Sequence, residues 1–508
     1  MSHKRSHHHH HPKRFRRFLS QRLQQRDTTT DNNDDDTPKP LTKDQQEAID
    51  TLSHYAQQEL GLTSLDRHVY NVILEMWSWD MDKAREEVID YRETERGMLW
   101  SLPRQLGYMA GSENDAKTSC YIDSLLFAMF IGLSAFDPLL AHKIPENDEA
   151  KQRLLLLLRL FVNKLRKGHL IRTQLVRQLR YALQMNAWIG VDERGRWTQE
   201  DASELFMFLT QTFNMPYLPF QRRLFHGAER DKEDDRVTTD RTLALSVPPD
   251  MSSTTVEQLL TDHFYNNVVT DIRRQQPTDP EKKKLMMGEE EDGSVTVAAW
   301  QVLELLPFCS FQSEQGYTNM SQGQQQQFVL PLVLNRYQYH VVNGRTTYRK
   351  IKTLVDIPQT ISFRQFINQN TEDPYCSICK HTTPYLLRLR GAVCHKGDSV
   401  HAGHYVAYAR TCHDEEVDNN DAWLKLDDMD TRQRVMSLKS YDSARDDLSK
   451  DAYMLFYELI KSCRHTDDPK NGGPSVQTVE AVAYPFPESS SSSSSSSKQR
   501  HSHSCIIS

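Results

Sequence analysis

The sequence predicts an α+β fold, helices first and antiparallel sheet after, between tails that have no core of their own. Three observations carry this. Segments with apolar residues at helical spacing dominate up to about residue 250, clearest in "RLLLLLRLFVNKL" and "QEDASELFMFLTQTF". After Val295 the runs "FVLPLVLNRYQYHVV", "YRKIKTLVDIP", "YLLRLRGAV", "HYVAYAR", "WLKLDD" and "AYMLFYEL" are rich in β-branched and aromatic residues, with turn signals between them. Residues 1–40 and 461–508 carry too little apolar surface to offset the entropy of ordering.

Residues 1–26 hold eight Lys or Arg and no acid, and the acidic "DNNDDD" follows, so the formal charge of -7 understates how acidic the body is. The five histidines His7 to His11 read as part of a solvated low-complexity tail. Residues 41–99 contain three helical segments, "QEAIDTLSHYAQQEL", "DRHVYNVILEMW" and "MDKAREEVIDYR", a small accessory unit read as an extension packed on the main domain. Residues 100–460 form that main domain. Within it "RTLALSVPPD" is a short extended piece, and the polar stretches "ERDKEDDR", "EKKKLMMGEEEDG" and "SQGQQQQ" are loops. In the last segment, nine consecutive serines at Ser489 to Ser497 form a flexible linker.

The longest leucine run is five residues before Arg159, far short of the roughly 20 apolar residues a membrane helix needs. Eight scattered cysteines and no apolar leader point to a reducing, cytoplasmic compartment, and no nucleic-acid partner is expected.

In "TSCYIDSLLFAMF" the apolar residues Ile122, Leu125, Leu126, Met129 and Phe130 form the stripe of a buried amphipathic helix, with Cys120 at its amino terminus. Unpaired amides and the positive end of the helix dipole there lower a thiol pKa. On this feature alone a structural cysteine remains the better reading. A nucleophile also needs a distant histidine and a group to orient it. "HAGHYVAYARTCHDEEVDNNDAWLKLDDMD" offers both: a hairpin centred between Glu415 and Glu416 sets Tyr408 opposite Trp423, Val406 opposite Lys425 and His404 opposite Asp427. Opposed Cβ atoms lie roughly 4.5 to 5.5 Å apart, within hydrogen-bond reach for an imidazole and a carboxylate. Gly403 would let another chain approach closely.

Joined together, these segments resemble the ubiquitin-specific protease family of papain-like deubiquitinases. "SCYIDSLLF" is most similar to the cylindromatosis-type branch. The resemblance runs through "QEDASELFMFL", "LALSVPPD", "LPLVLNRYQYH", "YLLRLRGAVCHKGDSVHAGHYVAYAR", "WLKLDD" and "AYMLFYEL", in the family's order, over roughly Gly107 to Leu459. It implies a helical thumb, an antiparallel-sheet palm and reduced fingers. It makes Cys120 the nucleophile, His404 the base and Asp427 the group that holds the imidazole, with Asp428 supporting. Gln199, Asp201 and Glu204 would line the channel for the extended tail of ubiquitin, where acids suit an arginine. The implied activity is thiol-dependent hydrolysis after the terminal glycine of ubiquitin. Two other readings stay open: a ubiquitin-binding scaffold with weak or lost catalysis, and a protease for another ubiquitin-like modifier. In residues 41–99 the last two segments faintly resemble a ubiquitin-associated three-helix module.

Two departures stand out. The family usually carries an asparagine five residues before the cysteine, where its amide stabilises the oxyanion. This chain has Asp115 there and Asn114 one position earlier. A carboxylate repels developing negative charge, so the loop shifts to present Asn114, or backbone amides serve, or activity is weak. Many relatives also carry two C-x-x-C pairs in the fingers, whereas only Cys309 lies in that region. The lone pair Cys376 and Cys379, with His381 and Cys394, is a weak zinc signal, and no metal or cofactor is expected.

The final "CIIS" fits a C-a-a-X prenylation site at Cys505, with a terminal serine that favours farnesyl. One lipid gives marginal membrane binding, so a second signal from the basic residues 1–26, or from Lys498 and Arg500, would be needed for stable anchoring. A nuclear address is the alternative reading of that basic cluster.

Overall fold

The computed structural model describes residues 40–63, 65–102, 108–215, 218–276, 294–306, 328–342, 345–367, 382, 384–399, 402–411, 423–461 and 476–478. Cys309, Cys376, Cys379, His381 and Cys505 fall outside them, as do the histidine tract and the serine run.

Three helices come first: α1 (Lys43–His54), α2 (Arg67–Met76) and α3 (Met81–Glu95). Each starts where a side chain accepts from the free amides of the first turn. Thr42 does so as half of a capping box with Gln45, Asp66 through Val69, and Asp80 through Asp82 and Lys83. A short strand β1 (Met98–Trp100) leads to the central helix α4 (Cys120–Phe130), then α5 (Asp137–Leu140), α6 (Glu149–Lys167), α7 (Thr173–Met185) and α8 (Ala202–Thr212). α6 ends at Gly168 in the left-handed conformation, φ 76°, the residue type suited to that turn.

The strands follow. β2 (Leu218–Phe225), β3 (Asp235–Asp240), β4 (Leu243–Ser246) and β5 (Ser253–Thr255) precede α9 (Val256–Tyr265), and β6 (Asn267–Gln275) and β7 (Ser294–Leu305) succeed it. Then come β8 (Val329–Asn335), β9 (Tyr337–Val342), β10 (Arg345–Lys350), β11 (Leu354–Asp356), β12 (Thr360–Ser362), β13 (Tyr385–Ser399), β14 (Ala402–Arg410), β15 (Trp423–Leu426) and β16 (Val435–Leu438). α10 (Asp442–Asp451), β17 (Ala452–Lys461) and β18 (Val476–Thr478) close the order. The main sheet runs β16-β15-β14-β13-β17-β8-β4 with β12 also on β13; it is antiparallel except that β4 joins β8 in parallel. The fold class is thus α+β with a largely antiparallel sheet.

Alternation along the strands divides two apolar layers. Tyr405, Ala407, Ala409, Leu424 and Leu426 pack with α4, the later helices and α1 to α3 in one continuous cluster. Val406, Tyr408 and Trp423 pack with α9 and α10 on the other side. All eleven residues of α4 are buried, Asp123 included, so the helix is enclosed on every side where the sequence predicts one apolar stripe. Its approach to β13 is close: a Cβ on Gly391 would lie 2.4 Å from the Ala128 carbonyl oxygen.

The accessory helices are joined to the main domain by charge as well as by apolar contact. Lys164 of α6, with 3 % of its side chain exposed, meets Glu87 at 2.7 Å and Asp90 at 3.1 Å on α3. Lys167 adds Asp90 and Glu93 at 2.7 and 2.6 Å.

Several expectations need correction. "FVLPLVLNRYQYHVV" reads as one strand but divides at Arg336, whose buried guanidinium donates to the carbonyls of Ala452, Thr353 and Ser449, so β8 joins the main sheet while β9 pairs with β10. A four-stranded sheet, β3-β2-β7-β6, occupies a region read mostly as helix and loop, and "ERDKEDDR" runs into its strand β3. β3 is exposed along nearly its whole length, and β6 alternates only between partly buried and exposed positions, broken at Thr270 and Asp271, so neither presents the buried apolar face by which a half-buried strand is recognised.

Candidate active site

Cys120 opens α4 but is only 1 % exposed. Its Sγ donates to Gln199 Oε1 at 3.5 Å. Burial pushes the thiol pKa up, the negative charges of Asp428 and Asp123 add to this, and backbone hydrogen bonds from Tyr405 and Tyr121 only partly oppose it. The sequence argument for a lowered pKa is therefore overturned. A helix terminus stabilises a thiolate by a modest amount, whereas full desolvation of an anion costs more.

His404 lies in β14, next to the Tyr405 backbone that bonds Cys120. Its Nε2 is 2.7 Å from Asp427 Oδ1 and 3.8 Å from Asp428 Oδ1. The hydrogen bond to His404 holds the Asp427 carboxyl below its ordinary pKa against the opposing effect of burial, and Met429 N also donates to Oδ1 at 3.2 Å. With Nε2–H committed to Asp427, Nδ1 is the nitrogen left to act as base. Among the described residues the thiol and the imidazole share no hydrogen bond.

The hairpin register differs from the expected one by two residues. Tyr408 faces Lys425, Ala409 faces Leu424 and Arg410 faces Trp423. An even slip keeps every side chain on its face, and His404 reaches Asp427 diagonally instead of directly across. Gly403 meets its own neighbouring strand: a Cβ there would lie 2.5 Å from the Lys396 carbonyl oxygen and 2.6 Å from His395 Nε2.

Asp428 and Asp123 form a buried acidic pair that local sequence reasoning passes over. Burial raises both pKa values, Asp428 further because Asp123 lies beside it. Asp123 accepts from Ser112 Oγ at 2.5 Å and Ser119 Oγ at 2.8 Å, while both Asp428 oxygens are cut off from solvent, with the Asn114 amide beside them. Burial and mutual repulsion favour the protonated form of each carboxyl. An acid inside an otherwise apolar helix was the available signal.

The departure before the cysteine resolves geometrically. The Asp115 carboxylate is buried and paired with Arg177 at 3.0 Å and Arg180 at 3.4 Å, so its charge is neutralised within the helical layer. Asn114 Oδ1 accepts from Ser119 N at 3.0 Å and Ser119 Oγ at 3.2 Å, which turns its amide nitrogen to Met429 Sδ at 3.4 Å. Ala116 and Lys117, φ 55° and 57°, turn the loop in the left-handed region between Asp115 and Thr118. Arg180 joins this loop to the neighbouring segment, donating to Thr118 Oγ1 at 2.8 Å and to the Thr198 carbonyl at 2.9 Å.

Beyond Gln199, Asp201 caps α8. Its Oδ1 accepts from the amides of Ser203 and Glu204, and its Oδ2 from Tyr453 Oη at 2.7 Å. Glu204 is exposed, and partial desolvation together with Asp201 and Glu200 raises its pKa, which a cation would relieve. His404, Asp427 and Asp428 also offer converging ligand atoms within 4.8 Å, but the hydrogen bond inside that group already accounts for the arrangement. Cys394, the member of the sequence's zinc candidate that falls within the described residues, lies in β13 and is wholly buried in the apolar layer against α9 and α10.

Among curated proteins none matches the sequence. Similar solved structures include the SAGA Ubp8/Sgf11/Sus1/Sgf73 DUB module bound to ubiquitin aldehyde, at 16 % identity and TM-score 0.42, covering 78 % of this chain and 77 % of that one. The yeast SAGA DUB module with an Sgf73 mutant is similar at 16 % identity and TM-score 0.44, covering 78 % and 76 %. A model of the ubiquitin carboxyl-terminal hydrolase family matches residues 110–457, which span α4, the cysteine loop, the histidine hairpin and nearly all of the sheet, and the chain belongs to that family.

Proposed function

We propose that this protein is a thiol-dependent deubiquitinase that hydrolyses the isopeptide or peptide bond after the terminal glycine of ubiquitin. The single observation that carries the reading is the His404 to Asp427 hydrogen bond of 2.7 Å beside a helix that begins with Cys120, inside the span of the family match. Cys120 is the nucleophile, His404 the base, and Asp427 fixes the imidazole so that Nδ1 is free. The Asp428 and Asp123 pair, which ties the Asp427 loop to α4, supports that placement.

In the free protein the thiol is protonated. Substrate binding moves it from Gln199 to His404 Nδ1, which takes the proton as Sγ attacks the glycine carbonyl. The imidazolium then protonates the departing amine, leaving a thioester. Water, deprotonated by His404, releases ubiquitin and restores the thiol. Exposed Glu204 is the acid we assign to an arginine in the ubiquitin tail, with Asp201 holding the start of α8 in place.

"SCYIDSLLF" supports placement in the cylindromatosis-type branch. A second reading, a ubiquitin-binding scaffold with weak catalysis, draws on the raised thiol pKa and the missing thiol to imidazole bond. Reaction with ubiquitin carrying a carboxy-terminal electrophile separates the two. The "CIIS" terminus supports a cytoplasmic protein that associates partly with membranes through farnesylated Cys505, the basic residues 1–26 contributing.

The test is turnover of a ubiquitin-conjugated fluorescent reporter. Cys120→Ala should abolish cleavage and keep ubiquitin binding, and His404→Ala should be nearly as damaging. Turnover retained by Cys120→Ala would sink the assignment.

A further inference from the structure

One polar group beside the nucleophile has no partner. Gln199 Oε1 accepts from the Cys120 thiol at 3.5 Å, while Gln199 Nε2 is shut off from solvent and finds no acceptor among the described residues. A buried donor without an acceptor is uncommon because it loses its water and gains nothing in return. The position is imposed from outside the residue. Arg180, 1 % exposed, binds the Thr198 carbonyl next to Gln199 and the Thr118 hydroxyl near Cys120, and it stacks on Trp197 with its guanidinium carbon 4.6 Å from the ring centre. The glutamine amide is therefore held against the sulfur by a clamp that does not itself touch it.

The Asn114 and Asp115 side chains before the cysteine are committed elsewhere. The Asp115 carboxylate is locked onto Arg177 and Arg180. Asn114 spends its oxygen on Ser119, which aims its nitrogen at Met429 and the Asp428 carboxyl. When Sγ bonds to the glycine carbonyl carbon, the carbonyl π pair moves to oxygen and creates an anion adjacent to the sulfur. The thiol proton has by then gone to His404 Nδ1, and Gln199 loses its hydrogen-bond donor in the same step. Rotation of the amide about its last torsion exchanges oxygen for nitrogen at that spot.

We propose that Gln199 is the side-chain oxyanion donor of this enzyme, its Oε1 holding the thiol at rest and its Nε2–H binding the carbonyl oxygen in the tetrahedral adduct. The assignment rests on the deubiquitinase reading and changes the role of this residue within it, from lining the tail channel to acting on the reacting atoms.

The experiment compares Gln199→Ala, Gln199→Glu and Asn114→Ala with the parent full-length protein on a ubiquitin reporter, together with binding of ubiquitin and of ubiquitin aldehyde, whose hemithioacetal mimics the adduct. Both Gln199 variants should lose about 10²- to 10³-fold in kcat with little change in KM. Affinity for ubiquitin should stay the same, whereas ubiquitin aldehyde should bind more weakly by a comparable factor. Gln199→Glu keeps the shape and removes the donor, so its loss separates hydrogen bonding from packing. A raised KM with unchanged kcat would return Gln199 to the tail channel and overturn the proposal. So would the kcat loss appearing in Asn114→Ala and not in the Gln199 variants. A parent protein inert toward every ubiquitin substrate would overturn the activity itself, a result that no Gln199 variant can mimic.

Discussion

Cys120 should react slowly with a small alkylating agent in the free protein, and His404→Ala should hardly change that rate although it removes turnover. The sulfur is buried, its pKa lies above the ordinary value, and its hydrogen bond runs to Gln199 and not to the imidazole. A thiol at or above a pKa of about 8.5 is at most roughly 10 % thiolate at pH 7.5. A thiolate paired with imidazolium, with a pKa near 4, would be almost fully ionised, at least about tenfold more reactive on that ground, and would lose this advantage without its histidine. The assay is iodoacetamide labelling quantified per cysteine by peptide mass spectrometry between pH 6 and 9, with a short cysteine peptide as reference. Cys120 should label more slowly than the reference, its rate still rising at pH 9, and parent and His404→Ala should agree within about threefold. A labelling midpoint below about pH 7, or a large drop in His404→Ala, would show that the thiolate and imidazolium pair exists before substrate arrives and refute this account of the resting site.

Lys164→Met should cost about 3 kcal/mol in chemical denaturation by leaving Glu87 and Asp90 buried without that cation; a loss under about 1 kcal/mol would mean that the Lys164 pairs contribute little to holding α3 against α6. For Asp447, burial would raise the pKa, but hydrogen bonds from Lys396 and Tyr408 win and hold it at about 2, below the ordinary 3.8. Its stabilisation is therefore complete above about pH 4 and lost as pH falls through 2, so Asp447→Asn should be destabilised by about 1 kcal/mol at pH 7 and the gap should close on acidification. A gap independent of pH in urea melts would contradict this. Cys505→Ser should abolish a farnesyl mass increment and shift the membrane fraction to the soluble one in cells with an active farnesyltransferase; identical mass, apart from the substitution, and identical distribution would mean the motif is unused.

The parts of the fold legible in the sequence are those whose pattern is set by half-burial. α1 to α3 carry polar caps and apolar stripes, and β14, β15 and β17 alternate or run apolar against two packed layers. β3 had no such signature because it is exposed along nearly its whole length, and β6 because its inward face is only partly buried and includes Asn267 and Arg274. The split of β8 from β9 depended on Arg336 reaching carbonyls more than 100 residues away in the chain, at Ala452 and Ser449, and no local rule encodes that. The parallel join of β4 to β8 is likewise a property of distant neighbours.

At the candidate site the contrast is sharper. His404 and Asp427 could be paired from the hairpin pattern even with the register two residues out, because period-two alternation forgives an even slip and would have punished an odd one. The acidity of Cys120 could not be read the same way. Helix-end electrostatics is a local argument and pointed down, while the enclosure of α4, which decides the sign, comes from layers contributed by the whole chain. The same enclosure raises the pKa values of Asp123 and Asp428, whose contact bridges α4 to the loop that carries Asp427. On the proposed reading, such a site relies on the arriving carbonyl, together with His404 Nδ1, to make ionisation of the thiol favourable. In that resting site the amide of Gln199, already against the sulfur, is the group with an unspent donor.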